Sequence, residues 1–278
     1  MVSSFYLSFL AVFAKPSFQK ILIVTPTHPL SYNKMKFADW FPYYQGIRAE
    51  FGYSTEKDQE AAKILSDMIK KKALDPKVLK RKIKGKNIIV VGAGPSLEDE
   101  KVLKYIKKNK KFVKIAADSA VQFLIENKIK PDVVVTDLDG NSTYLQKAEK
   151  SGAIMVVHAH GDNTDMVKKL VPKFRKLVGS TQVAPVENVH NFGGFTDGDR
   201  CVFLAEEFGA KKIVLVGMDF GNSIGKYSSK EKKVKDPELK KQKMQAGRRL
   251  LEMLAKQSRS QLVDTAQKPI KGFMPLAL

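Results

Sequence analysis

Six short apolar runs, each closed by a polar turn and most followed by an amphipathic stretch of helix length, limit what this chain can fold into. The runs are "NIIVVGAG" (87–94), "FVKIAAD" (112–118), "DVVVTD" (132–137), "AIMVVHAHGD" (153–162), "KIVLVGMD" (212–219) and a weaker "QLVDT" (261–265). Candidate helices such as "DSAVQFLIENK" and "TDMVKKLVPKFRK" lie between them. This alternation is the pattern of βαβ units around a parallel sheet. The expected fold is therefore α/β, a Rossmann-like and mostly parallel sheet with helices on both faces. At 278 residues and 43% hydrophobic content the chain can bury the core such a sheet needs.

The α/β pattern occupies residues 85–278 and is expected to form the nucleotide-binding, catalytic domain. Ahead of it, residues 35–84 read as a helical segment. Ala61, Ile64, Leu65, Met68 and Ile69 fall near helical spacing, and Asp75-Pro76 marks a break. Residues 1–34 read as an extension, either a mis-assigned start or a poorly ordered leader. Their apolar core, "FYLSFLAVFA" (5–14), has no Lys or Arg before it and is too short to cross a bilayer. Cys201 stands alone, which excludes an intramolecular disulfide and a cysteine-based zinc site and suits a reducing cytoplasm. It is expected in the core.

Four of the six runs end in aspartate: Asp118, Asp137 with Asp139, Asp162 and Asp219. In an open parallel sheet, ligands bind outside the carboxyl ends of the strands, so these residues are expected to meet on one rim. Clustered carboxylates repel unless a cation sits among them, and Mg²⁺ takes one or two carboxylates together with waters and substrate phosphates. Asp137, Asp139 and Asp162 are the candidate metal ligands, with Asp118 and Asp219 completing or orienting the shell. Asp118 and Asp162 also suit helix N-caps, a role that would account for either one alone.

"VVGAGPSLEDE" adds a strand, a glycine turn and a helix start, where backbone N–H groups can hold phosphate. Gly92, Gly94, Pro95 and Ser96 are its candidate contacts. It is neither a full dinucleotide fingerprint, since Leu97 replaces the third glycine, nor a Walker loop. "VVHAHGDNTD" places His158, His160, Asp162 and Asn163 on the same expected rim, and "NFGGFTDGDR" adds Asn191, Gly193, Gly194, Asp197, Asp199 and Arg200. Two histidines without a third nitrogen or sulfur ligand make zinc a poor fit. Phe192 and Phe195 suit either stacking on a flat ring or anchoring the loop.

The charge balance, 49 Lys and Arg against 29 Asp and Glu, gives a formal net charge of +20 and a field that attracts anions. Within the most basic stretch, 226–256, only Tyr227 is aromatic, so base stacking is poorly supported and nucleic acid is not an expected partner. No membrane association is expected either, and a homo-oligomer is left open.

Taken in order, "VVGAGPSLE", "AADSA", "PDVVVTDLDG", "HAHGDN", "NFGGFTDGDR" and "GMDFG" resemble the archaeal 6-hydroxymethyl-7,8-dihydropterin pyrophosphokinase family. That family lies within a wider group sharing a domain with bacterial flagellar-motility accessory proteins. The resemblance runs from about Met35 to near the C-terminus. A more remote likeness is to thiamin pyrophosphokinase, from whose pattern Ser119, Ala120 and Gly140 depart. The resemblance implies transfer of a diphosphoryl group from ATP, with Mg²⁺, to the hydroxymethyl group of a reduced pterin. AMP is released, in folate or methanopterin-type cofactor synthesis. In that reaction His160, Arg200 or a lysine of 226–243 would offset charge on the departing AMP, and the basic charge and position of this segment suit a closing lid. Rival readings are a metal-dependent nucleotide-sugar glycosyltransferase using the Asp137-x-Asp139 pair, and a nicotinamide or flavin enzyme using "GAGPS".

Overall fold

The computed structural model describes residues 37–221, 224–228 and 236–278; the 1–34 extension and residues 229–235 of the basic stretch read as a lid lie outside these. All six apolar runs become strands. They are β1 (Asn87–Val91), β2 (Val113–Ala117), β3 (Val133–Thr136), β4 (Ile154–Ala159), β7 (Lys212–Val216) and β8 (Gln261–Asp264). Three further strands extend the sheet, namely β5 (Val178–Thr181), β6 (Val189–His190) and β9 (Met274–Pro275). The order is β6, β5, β4, β3, β2, β1, β7, β8, β9, and every pairing is parallel.

β2 and β3 are buried at every residue, and β1, β4 and β7 at every residue but their first. Burial on consecutive residues requires cover on both faces, because side chains alternate along a strand. Helices provide it: α1 (Phe37–Phe51), α2 (Thr55–Ile69), α3 (Lys77–Ile83), α4 (Glu100–Lys108), α5 (Ala120–Glu126), α6 (Ser142–Lys150), α7 (Thr164–Leu170), α8 (Asp197–Glu207) and α9 (Pro237–Ala255). The spacing read over 57–84 resolves into α2 and α3, with Pro76 as the N-cap residue of α3. α2 begins at Ser54, whose hydroxyl accepts the Lys57 amide at 3.2 Å, and it packs on β4 and β5.

α8 lies across β1, β2 and β3 and is buried from Asp199 through Glu206, Cys201 included. Against it sits α1. Trp40 and Tyr44, four residues apart and so on one helix face, are each 1% exposed. Trp40 meets Phe203 edge-on at 6.2 Å and donates its indole N–H to the Gln182 carbonyl at 2.8 Å. The helical segment thus shares one apolar core with the sheet. Among the described residues, no helix is long and apolar enough to cross a membrane.

From β1 the sheet grows outward to β6, and the chain then returns to place β7 on the other side of β1. The order reverses there, which opens a crevice at the carboxyl ends of the central strands.

Candidate active site

At that end, one oxygen each from Asp118, Asp137 and Asp139 lie within 4.8 Å of one another. Asp118 follows β2, while Asp137 and Asp139 follow β3. Two residues in the left-handed region shape the cluster, Asp118 itself (φ 29°) and Leu138 (φ 72°), the latter fully buried between the two aspartates. Non-glycine residues rarely hold such backbone angles, and they persist where surrounding contacts enforce them. Thr136 supplies those contacts. Its hydroxyl donates to Asp118 Oδ1 and accepts the Leu138 amide at 2.8 Å. The Asp139 amide donates to Asp137 Oδ1 at 3.2 Å.

Asp118 is 4% exposed, and its Oδ2 is buried with no hydrogen-bond partner. Burial, followed by the charges of Asp139 and Asp137, pushes its pKa well above the usual carboxylate range. Burial also raises the pKa of Asp137, but the hydrogen bond and charge of His160, the Asp139 amide and Arg200 outweigh it, so Asp137 is held low. His160 Nε2 is 3.7 Å from Asp137 Oδ2. Its ring stacks on that of His158, which burial keeps neutral. An ionised Asp137 beside a partnerless oxygen on Asp118 and a third carboxylate is a hard, all-oxygen donor set, and it fits a small divalent cation such as Mg²⁺.

A fourth carboxylate comes from α8. Burial, then Asp137, Asp118 and Asp139, raise the pKa of Asp197 well above its ordinary value, and its Oδ1 is buried without a partner. Asp199, two residues on, has a different role. Its carboxylate accepts the Phe195 amide at 2.6 Å and the Thr196 amide at 2.8 Å, closing a capping box at the start of α8. The T-x-x-D spacing of Thr196 and Asp199 is legible in sequence, and it would have assigned Asp199 to the cap and singled out Asp197.

Asp162 does not join the cluster. Its side chain is exposed in the turn before α7, where its amide points back to His160 Nδ1 at 3.4 Å. Nor does it cap the helix, since Asn163 is the N-cap residue of α7, as Ser119 is of α5. Asn163 is a brace. Its Nδ2 donates to the carbonyls of Asp137 (2.7 Å) and His158 (2.8 Å), and its Oδ1 accepts the His160 amide at 3.0 Å. The bond to Asp137 ties the end of β4 to the end of β3, and the other two hold the turn after β4.

In the glycine turn after β1, three backbone donors are already engaged. The Gly92, Gly94 and Ser96 amides donate to Val216 O, Gly217 O and Asp219 Oδ2 at 2.9, 2.8 and 3.0 Å. Gly92 and Gly94 are glycines because a Cβ at either would collide with the β7 loop or with Asp219. Asp219 therefore holds the turn in place of a ligand, and Pro95 opens a short 3-10 turn. Ser96 Oγ in this turn is buried and unpartnered.

Asn191 shapes its own loop, donating to Val183 O and accepting the Gly193 amide, both at 2.9 Å. Gly194 lets that loop press on the Arg200 backbone. Phe192 packs on Phe208 and His190, and Phe195 on Phe51 and Tyr53, so both rings anchor the loop. Arg200 is buried, donating to Gln182 Oε1 at 2.9 Å and Phe195 O at 2.7 Å. It acts as a fixed counter-charge beneath Asp197, Asp199 and Asp137.

Among the described lysines of the basic segment, Lys240 of α9 faces the rim. It is half-buried and donates to Ser228 O at 2.6 Å; burial lowers its pKa, and the Asp139 charge partly restores it.

A family model described as "6-hydroxymethylpterin diphosphokinase MptE-like" matches residues 45–225. The chain is 44% identical over 237 residues to the 6-hydroxymethyl-7,8-dihydropterin pyrophosphokinase of Pyrococcus furiosus, covering 83% of this chain and 99% of that one. The enzymes of that name from Methanocaldococcus jannaschii and Methanothermobacter thermautotrophicus are 44% and 39% identical. Each covers 70% of this chain, and the match spans 84% and 83% of theirs. A solved structure titled MAf glycosyltransferase, from Magnetospirillum magneticum AMB-1, superposes with a TM-score of 0.49 at 18% identity, over 77% of this chain and 38% of that one.

Proposed function

Because the chain belongs to the MptE-like 6-hydroxymethylpterin diphosphokinase family, we propose that its carboxylate rim holds the magnesium complex of ATP for diphosphoryl transfer to a reduced pterin. The chain is a pyrophosphokinase acting on a hydroxymethyl pterin. The nucleotide, the ion and the release of AMP are our reading of the site. One observation carries them: three carboxylates from two neighbouring strand ends meet within 4.8 Å at the ligand edge, and the most deeply buried has an unpartnered oxygen.

Asp118, Asp137 and Asp139 would hold Mg²⁺, which when bound neutralises phosphate charge and fixes the polyphosphate chain. The protein's own groups orient the reactants. Thr136 and Asn163 fix the two strand ends, Ser96 Oγ meets a phosphate oxygen, and Lys240 faces the charge that develops on the leaving AMP. The hydroxymethyl oxygen of the pterin attacks the β-phosphorus, the bond from that phosphorus to the oxygen bridging it to the α-phosphorus breaks, and AMP departs with that oxygen. Solvent water in the open crevice takes the hydroxyl proton, and His160, whose Nε2 lies beside Asp137, offsets the charge on the departing AMP. A sugar-nucleotide transferase would need only the Asp137-x-Asp139 pair, whereas here Asp118 and Asp197 converge on it as well.

The test is incubation with ATP, Mg²⁺ and 6-hydroxymethyl-7,8-dihydropterin, followed by nucleotide analysis. AMP in step with pterin diphosphate is the expected result. ADP would mean transfer of a single phosphoryl group, and neither product would remove the assignment.

A further inference from the structure

The opposite edge of the sheet, where the strands begin, carries a cavity of about 520 Å³ whose charged lining is Arg81, Lys82, Lys86, Lys110, Lys111 and Asp132. Val78 and Phe112 form its apolar wall. It lies roughly 16 Å of strand away from the carboxylate rim, the length of a five-residue strand. The cations arrive from separate segments: Arg81 and Lys82 from α3, Lys86 from its link to β1, and Lys110 and Lys111 from the turn between α4 and β2.

Asp132, the one acid, is already engaged. Its Oδ1 pairs with Lys82 Nζ at 3.2 Å and its Oδ2 accepts the Lys114 amide at 3.0 Å. Arg81, Lys86, Lys110 and Lys111 are exposed, and none has an ion pair among the described residues. The turn bearing the last two is held from beneath, because Lys114, 7% exposed, donates Nζ to the Lys110 carbonyl at 2.6 Å. On a convex surface four like charges spread apart, but a concave, low-dielectric wall gathers them and focuses their field. Such an arrangement is costly when empty and favourable around an anion of several charges.

We propose that this cavity is a second anion site that binds a small polyphosphate ligand. The phosphates meet Arg81, Lys86, Lys110 and Lys111, and any ring attached to them lies against Phe112 and Val78. A nucleoside triphosphate and a linear inorganic polyphosphate share this chemistry. A single open basin with one aromatic wall suits a small ligand better than a nucleic-acid strand, which needs a track of stacking rings. The site is separate from the proposed reaction.

Calorimetric titration of the full chain with inorganic tripolyphosphate tests it, in magnesium-free buffer at physiological ionic strength. One binding event is expected. It should weaken roughly tenfold or more when Arg81→Ser, Lys86→Ser, Lys110→Ser and Lys111→Ser are combined. Binding should survive when Lys101, Lys104, Lys107 and Lys108, exposed on α4, are replaced by serine instead, which removes the same charge elsewhere. A parallel ATP titration separates the sources. Tighter binding than tripolyphosphate identifies a nucleotide, and equal binding identifies the inorganic chain. No binding to the unsubstituted protein, or equal losses in both variants, would overturn the site. Single-stranded RNA binding more tightly than tripolyphosphate through the same four residues would overturn the small-ligand assignment. Circular dichroism of both variants confirms that the fold is kept, and pterin transfer is assayed separately, so its failure leaves this result standing.

Discussion

Gly140 lies so close to the Asp118 carboxylate that a Cβ on it would overlap all three carboxylate atoms. The loop after β3 therefore closes over the buried acid only because position 140 has no side chain, and the inward aim of Asp118 depends on a residue that offers no ligand. Gly140→Ala is expected to displace Asp118 and weaken Mg²⁺ or Mn²⁺ binding by about 10- to 100-fold, the usual effect of disturbing a ligand's support. The fold should persist. Metal titration alongside circular dichroism reads both, and unchanged affinity would show that Asp118 is no ligand.

Asp118→Asn should separate stability from function. With its pKa raised, the folded state keeps the Asp118 proton after the unfolded chain has lost it. The contribution of this group to stability is therefore complete below the ordinary carboxylate pKa and is lost as pH rises toward the raised value. At neutral pH, where the unfolded chain carries the charge freely and the folded site resists it, the group is a cost. An asparagine can still accept from Thr136 through Oδ1, so metal-free protein carrying Asp118→Asn should be about 1 kcal/mol more stable at pH 7 and nearly unchanged at pH 4. Thermal unfolding in chelator at the two pH values checks this. Added Mg²⁺ should stabilise the parent and leave the variant unmoved.

Much of this architecture is legible in the chain, for a physical reason. Strands buried on both faces have no polar register, so "NIIVV", "VVVT" and "KIVLV" read as continuous apolar runs. β5, with the sequence "VGST", and the two-residue β6 and β9 at the sheet margins carry no such signal, because pairing with a formed neighbour makes them strands. The rim divides the same way. A position at a strand end places a residue on the ligand edge, but the next turn decides where its side chain points. Leu138, at φ 72°, keeps Asp137 and Asp139 together, whereas the turn held by Asn163 leaves Asp162 in solvent. Asp219 was legible as a rim residue, yet its bond to the Ser96 amide depends on β7 returning beside β1, which no local pattern records.

Asn163→Ala should do more harm than a typical loop substitution. It strips hydrogen bonds from two carbonyls and one amide at the junction of β3 and β4, and the residue is only 6% exposed. Leaving buried polar groups unpaired costs about 1–3 kcal/mol each where water cannot replace the partner, so a total loss near 2–4 kcal/mol is expected. Chemical denaturation measures it. Metal affinity should fall as well, because the Asp137 backbone loses its anchor, and a variant as stable as the parent would refute the bracing role.

Lys240 yields the sharpest kinetic prediction. Its ammonium is half-buried and close enough to Asp139 for that charge to raise its pKa, and it donates to the Ser228 carbonyl. Where water is partly excluded, a cation aimed at developing phosphate charge acts mainly in the transition state. Lys240→Met keeps the length and the apolar stem while removing the charge. It should lower kcat for pterin diphosphate formation about 100-fold with a much smaller change in KM for ATP, the pattern of an interaction made chiefly in the transition state. Lys240→Arg should recover part of the loss. A rise in KM with kcat unchanged would instead make Lys240 a ground-state contact to the nucleotide, and no effect on either constant would remove it from the site.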